Sequence, residues 1–176
     1  IGWAQEYNDP KYFQEDPIIF PTGFARKYEA GEASLADVEI SALLSAHLAW
    51  GRRAMIVRDC GRTIDEMAWR PYAYVMNGEY RNENASLHRT IKWSEFASIC
   101  TRLREIYQKT ASIEGLSDAQ IRTDIFGQKE DRRAPNKKIS MMRRWMVRDD
   151  GKVDLGVWKA SDKKRLILPL DVHVYD

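Results

Sequence analysis

The sequence predicts an all-α fold, and two observations support this prediction. Apolar residues recur at helical spacing in three separate stretches, at about 35–49, 93–106 and 139–146. No stretch shows the sustained alternation of apolar and polar residues that is typical of a half-buried β-strand. The chain also contains no internal repeat and no low-complexity linker, so we expect a single helical domain over residues 1–176.

The composition is that of a soluble globular protein. Apolar residues make up 44% of the 176 residues and charged residues 31%, with a net charge of +2. No apolar run approaches the roughly 20 residues that a membrane-spanning helix needs, and no secretory signal is visible, so we expect a cytoplasmic protein. The two cysteines, Cys60 and Cys100, lack metal-ligand spacing and are expected to be buried thiols. We therefore expect no metal and no cofactor.

Residues 1–33 are rich in aromatic side chains and are interrupted by proline. Asp9-Pro10, Asp16-Pro17 and Phe20-Pro21 each disfavour a helix, because the residue before a proline is pushed toward extended conformations. We predict an irregular or short-helical strap that lies across the body and buries its aromatic side chains.

Residues 34–128 form the predicted helical body. Ser34 followed by Asp37 resembles a capping box, and the apolar stripe behind it is broad enough for a central, buried helix that ends near Gly51. Asn77-Gly78 indicates a turn, whereas residues 79–91 show no clear period. Further helices are predicted at about 54–67, 71–76 and 93–109, with one or two short helices in 110–128.

Residues 129–176 carry a strongly basic helix, which we predict from about Pro135 to Arg148. Residues 129–148 contain eight basic and two acidic residues. Such an excess is typical of a surface that binds a polyanion, and a solvated basic face without a ligand is the alternative. The apolar face of this helix is Ile139, Met142, Trp145 and Met146, and the basic residues are Lys129, Arg132, Arg133, Lys137, Lys138, Arg143, Arg144 and Arg148.

The terminal segment LILPLDVHVYD places Asp171 where it can cap a helix. Only five residues follow Asp171, fewer than a helix needs. We therefore expect the domain to be incomplete at its C-terminus.

Several blocks of the chain resemble an uncharacterised bacterial family that carries FLRWMVR, VDLGxW and PLDTHV in this order. The blocks here are RRWMVRDDGKVDLGVWK and LPLDVHV, and DPIIFP, VEISALLSAHLAWGRR and RPYAYV are similar to earlier blocks of that family. The family is in turn similar to the helix-hairpin-helix DNA glycosylases, among them the archaeal 8-oxoguanine glycosylases. The resemblance covers most of the chain and implies a helical glycosylase-like domain. Its implied partner is double-stranded DNA with a damaged base, and oxidised guanine is one candidate lesion.

The same resemblance implies a catalytic pair. Helix-hairpin-helix glycosylases use a lysine at the start of one helix and an aspartate in a P-x-D-x-x-V context, which here match Lys138 and Asp171, 33 residues apart. Lys137 is the alternative nucleophile. The preceding DRRAPNK contains no glycine, whereas the glycosylase hairpin usually reads L-P-G-V-G-x-K.

The implied activity is base excision through a lysine Schiff base, with a possible lyase step. Only a neutral amine is nucleophilic, so neighbouring cations and the helix start are expected to lower the pKa of Lys138. Each residue of the pair also has a non-catalytic alternative. Lys138 can be a surface residue that contacts phosphate, and Asp171 can serve only as a helix cap. The alternative function is a non-catalytic DNA-binding module on the same scaffold. The expected DNA-binding residues are Arg132, Arg133, Lys137, Arg143 and Arg144.

Overall fold

A computed structural model of the protein describes residues 9–130 and 136–166. This part of the chain is predominantly helical and contains one small antiparallel sheet of two strands. The helices are α1 (Ile19–Glu29), α2 (Leu35–Leu48), α3 (Arg53–Glu66), α4 (Pro71–Asn77), α5 (Trp93–Tyr107), α6 (Asp118–Gln120, continued by a π-helical turn at Ile121–Ile125) and α7 (Lys137–Val147). The strands are β1 (Ser86–His88) and β2 (Ile91–Lys92), and short 3-10 turns lie at Pro10–Phe13 and Lys163–Arg165.

Helix α2 is the centre of the fold. Its N-terminus carries the predicted capping box, because Ser34 Oγ accepts from the Asp37 backbone N–H and the Asp37 carboxylate accepts from the Ser34 backbone N–H. Every residue from Val38 to Leu48 is buried. Helices α1, α3, α4 and α7 all pack against it. The broad apolar stripe in the sequence therefore predicted this burial correctly.

Helix α1 corrects the prediction for residues 1–33. We expected Phe20-Pro21 to break a helix, but Pro21 lies in the first turn of α1. A proline is tolerated there because the first N–H groups of a helix have no intrahelical acceptor. Phe20 and Phe24 are buried in the core, so the expected aromatic burial is confirmed for these two side chains.

A β-hairpin occupies part of the segment in which the sequence showed no period. His88 pairs with Ile91 across the two-residue turn Arg89-Thr90, and Ser86 pairs with Lys92. Strands of three and two residues are too short for a period of two to become visible. The hairpin is anchored because Leu87, His88 and Ile91 are buried and β1 packs on α3.

Helix α7 packs its apolar face against α2. The four residues predicted to form that face are buried, and Trp145 is only 6% exposed. This packing brings the first turn of α7 next to the C-terminal end of α2. Within residues 9–130 and 136–166, no helix combines the length and the hydropathy needed to cross a membrane.

Candidate functional site

Lys138 lies in the first turn of α7, and its amine reaches the end of α2. The Nζ atom donates a 2.5 Å hydrogen bond to the backbone oxygen of His47 and lies 5.6 Å from the centre of a ring of Trp50. The side chain is partly buried, and this burial lowers the pKa of Lys138, while the carboxylate of Glu95 acts in the opposite direction. Burial, rather than the neighbouring cations expected from the sequence, is the cause.

An open pocket of about 380 Å³ adjoins this amine. The His47 imidazole stacks on the ring of Phe126, with centroids 4.6 Å apart and planes inclined by 16°. On another side, Arg122 Nη1 donates to Asn136 Oδ1 over 3.2 Å, which ties the π-helical turn to the start of α7. The pocket is lined by His47, Arg122, Phe126, Gln128, Asn136, Lys137, Lys138 and Ile139.

The His47 side chain links α2 to α5. Its Nε2 lies 3.2 Å from Glu95 Oε1, and burial lowers the pKa of His47. The same hydrogen bond lowers the pKa of Glu95, so the pair favours a carboxylate next to the Lys138 amine.

A family profile with the description "Protein of unknown function (DUF2400)" matches residues 16–126 and 116–176. The chain belongs to this family. The matched ranges contain Lys138 and the segment around Asp171. Comparisons with curated proteins and with solved structures give no match.

Two of the arginines predicted to bind DNA form intramolecular pairs in this DUF2400 protein. Arg143 Nε lies 2.5 Å from Asp118 Oδ1, and its Nη2 donates to the Leu116 oxygen over 2.6 Å. Arg144 Nε lies 3.6 Å from Asp154 Oδ2. Both guanidinium groups therefore point toward carboxylates of the same molecule, which reduces the charge that α7 offers to a polyanion.

Asp154, in the VDLGVW block, is the buried centre of this second pair. Its side chain is fully buried and burial raises its pKa, and Arg148 Nη1 lies 3.4 Å from the same Oδ2 atom that Arg144 approaches. The backbone N–H groups of Lys152, Val153 and Asp154 all donate to Asp150 Oδ1. The Asp150 carboxylate therefore closes this turn, whereas the Asp154 carboxylate faces the guanidinium groups of Arg144 and Arg148.

The remaining predicted site residues divide into two groups. Lys137 lines the same pocket as Lys138. Arg132, Arg133 and Asp171 lie outside the described residues. Among the described residues, no three His, Cys, Asp or Glu side chains are arranged to hold a metal ion.

Sequence reasoning missed a buried network beneath the site. The His88 ring is held on both sides, with Nδ1 2.7 Å from Asp59 Oδ2 and Nε2 2.9 Å from the Trp50 backbone oxygen. His88 and Asp59 are both about 1% exposed, and Arg58 and Arg62 also contact the Asp59 carboxylate. The network fixes the Trp50 loop to α3 and the hairpin. No local sequence motif predicts this network, because His88 lies 29 residues from Asp59 and 38 residues from Trp50 in the sequence.

Proposed function

We propose that this DUF2400 protein is a DNA base-excision glycosylase that releases a damaged base through a covalent imine on Lys138. One observation carries the proposal: the Lys138 amine is partly buried at the edge of a pocket, and burial lowers its pKa. The basic segment 129–148 and the PLDVHV block support the same function. We further propose that the helical architecture is of the helix-hairpin-helix glycosylase type and that oxidised guanine is the first lesion to test.

The chemistry requires a neutral amine. The Nζ lone pair forms a bond to C1′ of the nucleotide, and the C1′–N bond breaks with its electrons passing to the departing base, which is protonated. The amine then loses its protons as the sugar ring opens to an imine, from which the strand can be cleaved. A neutral amine keeps one N–H on the His47 oxygen and still has a lone pair for C1′. Asp171 is proposed to stabilise the cationic sugar.

The pocket has the features that an extruded base needs. Its volume, about 380 Å³, lies in the range of roughly 300–1,000 Å³ that is typical of ligand pockets. The stacked His47 and Phe126 rings offer a flat wall, and glycosylases read a flipped base between such groups. Arg122 and Lys137 add positive charge to the lining, which suits the flanking phosphates.

A non-catalytic DNA-binding module on the same scaffold is the second candidate. The observation that favours it is the hydrogen bond from Lys138 Nζ to the His47 oxygen. A cation at the C-terminal end of a helix is stabilising, so the contact can also serve the packing of α7 on α2. In this case Lys138 stays an ammonium and forms no adduct.

Borohydride trapping on duplexes with single defined lesions, beginning with 8-oxoguanine, distinguishes the two candidates. The wild-type protein is expected to form a covalent adduct, because borohydride reduces the imine to a stable amine. Lys138→Gln is expected to abolish the adduct and to leave duplex affinity within about twofold. Lys137→Gln is the matched control on the adjacent residue and should keep the adduct.

The two outcomes have separate meanings. If only Lys137→Gln loses the adduct, Lys137 is the nucleophile and the imine mechanism still applies. If the protein is folded and binds duplex DNA but forms no adduct with any lesion, its function is that of the non-catalytic DNA-binding module.

Two further variants test residues outside the described ranges. Asp171→Asn is expected to slow base release while duplex binding is retained, because asparagine caps a helix about as well as aspartate but carries no charge. Charge reversal of Arg132 and Arg133 together should weaken duplex binding and flatten its salt dependence, since fewer counterions are released. An unchanged rate for Asp171→Asn, or an unchanged salt slope for the double variant, would contradict the respective assignment.

A further inference from the structure

The tip of the β-hairpin presents an arginine in a fixed position. Arg89 is exposed and adopts a left-handed backbone conformation with φ +53°. Its carbonyl accepts a 2.8 Å hydrogen bond from Ser86 Oγ, which closes the turn. A non-glycine residue in this conformation is held there by its surroundings, so the turn positions Arg89 rather than leaving it on a loose loop.

The root of the hairpin is anchored immediately below this tip. His88, the residue before Arg89, contacts the Asp59 carboxylate and the Trp50 oxygen with both ring nitrogens while fully buried. A bridge of this kind joins the hairpin, α3 and the loop after α2. Arg89 therefore keeps a defined place relative to Trp50.

Arg89 lies directly over the indole of Trp50. The guanidinium carbon is 4.2 Å from the centre of a Trp50 ring, a distance typical of a cation stacked on an aromatic face. The neighbouring Gly51 adopts φ +104°, and a Cβ atom at this position would lie 2.5 Å from Arg89 Nη1. Glycine thus allows the close approach of the two loops.

Arg89 differs from three other arginines in its charged surroundings. Arg81, Arg143 and Arg144 each pair with a carboxylate. Within the part of the chain that the structure describes, no ion pair is formed by Arg89 or by Arg52, which follows Gly51 and is also exposed. A stacked guanidinium without a carboxylate partner is pre-organised to bind phosphate oxygens in a bidentate manner.

Trp50 also connects this surface to the Lys138 amine. The same Trp50 that supports Arg89 also lies 5.6 Å from Lys138 Nζ. The Glu95 carboxylate near Lys138 is tied to His47. The patch formed by Arg52, Trp50 and Arg89 thus shares Trp50 with the surroundings of the Lys138 amine.

We propose that this patch, with Arg89 at its centre, receives the sugar-phosphate backbone of duplex DNA beside the Lys138 pocket. The proposal rests on the proposed function for the identity of the polyanion, and it assigns DNA contact to a hairpin and a loop that lie outside the basic segment 129–148. Arg89 holds one phosphate in a bidentate manner, and Trp50 holds Arg89 in place for it.

The test measures the salt dependence of binding to an undamaged duplex by fluorescence anisotropy. Arg89→Asn removes the charge and suits the left-handed backbone, since asparagine adopts it readily. Loss of one phosphate contact is expected to reduce the slope of log affinity against log salt by about 0.9. Arg89→Lys keeps the charge and should keep the slope.

Arg81→Asn is the matched control. Arg81 also stacks on a tryptophan, with its guanidinium carbon 4.1 Å from a Trp93 ring, but Glu66 and Glu83 already compensate its charge. The slope should therefore be unchanged in this variant. Thermal melting of all three variants shows whether they fold.

The undamaged duplex separates this proposal from the glycosylase proposal. A folded Arg89→Asn protein with the wild-type slope, or an equal loss in Arg81→Asn, would overturn the role of Arg89 even if lesion duplexes still trap on Lys138. If Arg89→Asn reduces the salt slope but no lesion gives a borohydride adduct, the Arg89 phosphate contact is supported and the glycosylase proposal is rejected. A wild-type protein that does not bind duplex DNA at low salt would overturn the Arg89 proposal directly.

Discussion

Glu39 is a buried acid in the middle of α2, and its replacement by glutamine should change how the stability of the protein depends on pH. Its Oε2 accepts hydrogen bonds from the Ile113 backbone N–H at 2.7 Å and from Ser112 Oγ at 3.1 Å. Its Oε1 has no hydrogen-bond partner in the described part of the chain. Burial outweighs the effect of these two hydrogen bonds and of the nearby Trp158 indole N–H, and it raises the pKa of Glu39 from its ordinary value of 4.5 to about 7.

The number of protons bound in the folded and unfolded states decides whether the free energy of unfolding rises or falls with pH. Between pH 4.5 and about 7 the unfolded chain releases the Glu39 proton, whereas the folded protein keeps it. The free energy of unfolding therefore falls as the pH rises through this window, and above it Glu39 causes no further change with pH. Each pH unit between the two pKa values corresponds to about 1.4 kcal/mol, so the whole effect is about 3 kcal/mol.

Glutamine has nearly the shape of the protonated acid and cannot ionise. Glu39→Gln should therefore equal the wild-type protein in stability near pH 4.5 and exceed it by up to about 3 kcal/mol at pH 7.5. Urea unfolding at half-unit pH steps measures the difference in the free energy of unfolding between the two proteins. The contributions of other titrating groups cancel in that difference. Glu105→Gln, on an exposed position of α5, is the control and should give a flat difference curve. A flat curve for Glu39→Gln as well would refute the reasoning.

Three further predictions concern packing and backbone conformation, and urea unfolding tests each of them. Trp145→Ala should destabilise the protein by ~3–5 kcal/mol because Trp145 is a buried anchor between α7 and α2, and a loss below about 1 kcal/mol would place it outside the core. Gly51→Ala should destabilise the protein by about 1–3 kcal/mol because φ at Gly51 is +104°. Gly23 lies in α1 with open space around its Cβ position, so Gly23→Ala should be neutral or stabilising by up to about 1 kcal/mol. Equal effects of the two substitutions would contradict the argument. His88→Ala should cost about 3 kcal/mol because it removes a hydrogen-bond partner from the buried Asp59 carboxylate, and a loss comparable to that of an exposed site would show that the network contributes little.

The sequence alone determined most of the helices and several of their ends. Helical periodicity and capping residues act over three or four positions, so they can be read locally. The Ser34–Asp37 capping box, the burial of α2 and the turn at Gly78, which has φ +83°, were predictable for this reason. Local reading failed at Phe20-Pro21, where the position of proline within the first turn decides whether a helix is broken. It also missed the hairpin, whose strands are shorter than one readable period.

Only the tertiary structure decided the chemistry of the candidate site. The pKa of Lys138 is lowered by burial next to the His47 oxygen, a partner 91 residues away in the sequence. The guanidinium of Arg143 pairs with Asp118, whereas Arg89 stacks on Trp50 and forms no ion pair with any residue that the structure describes. A count of basic residues cannot separate these cases, because a charge acts according to its distance from other charges and from water. Those distances are set by how α7, α2 and the hairpin pack together.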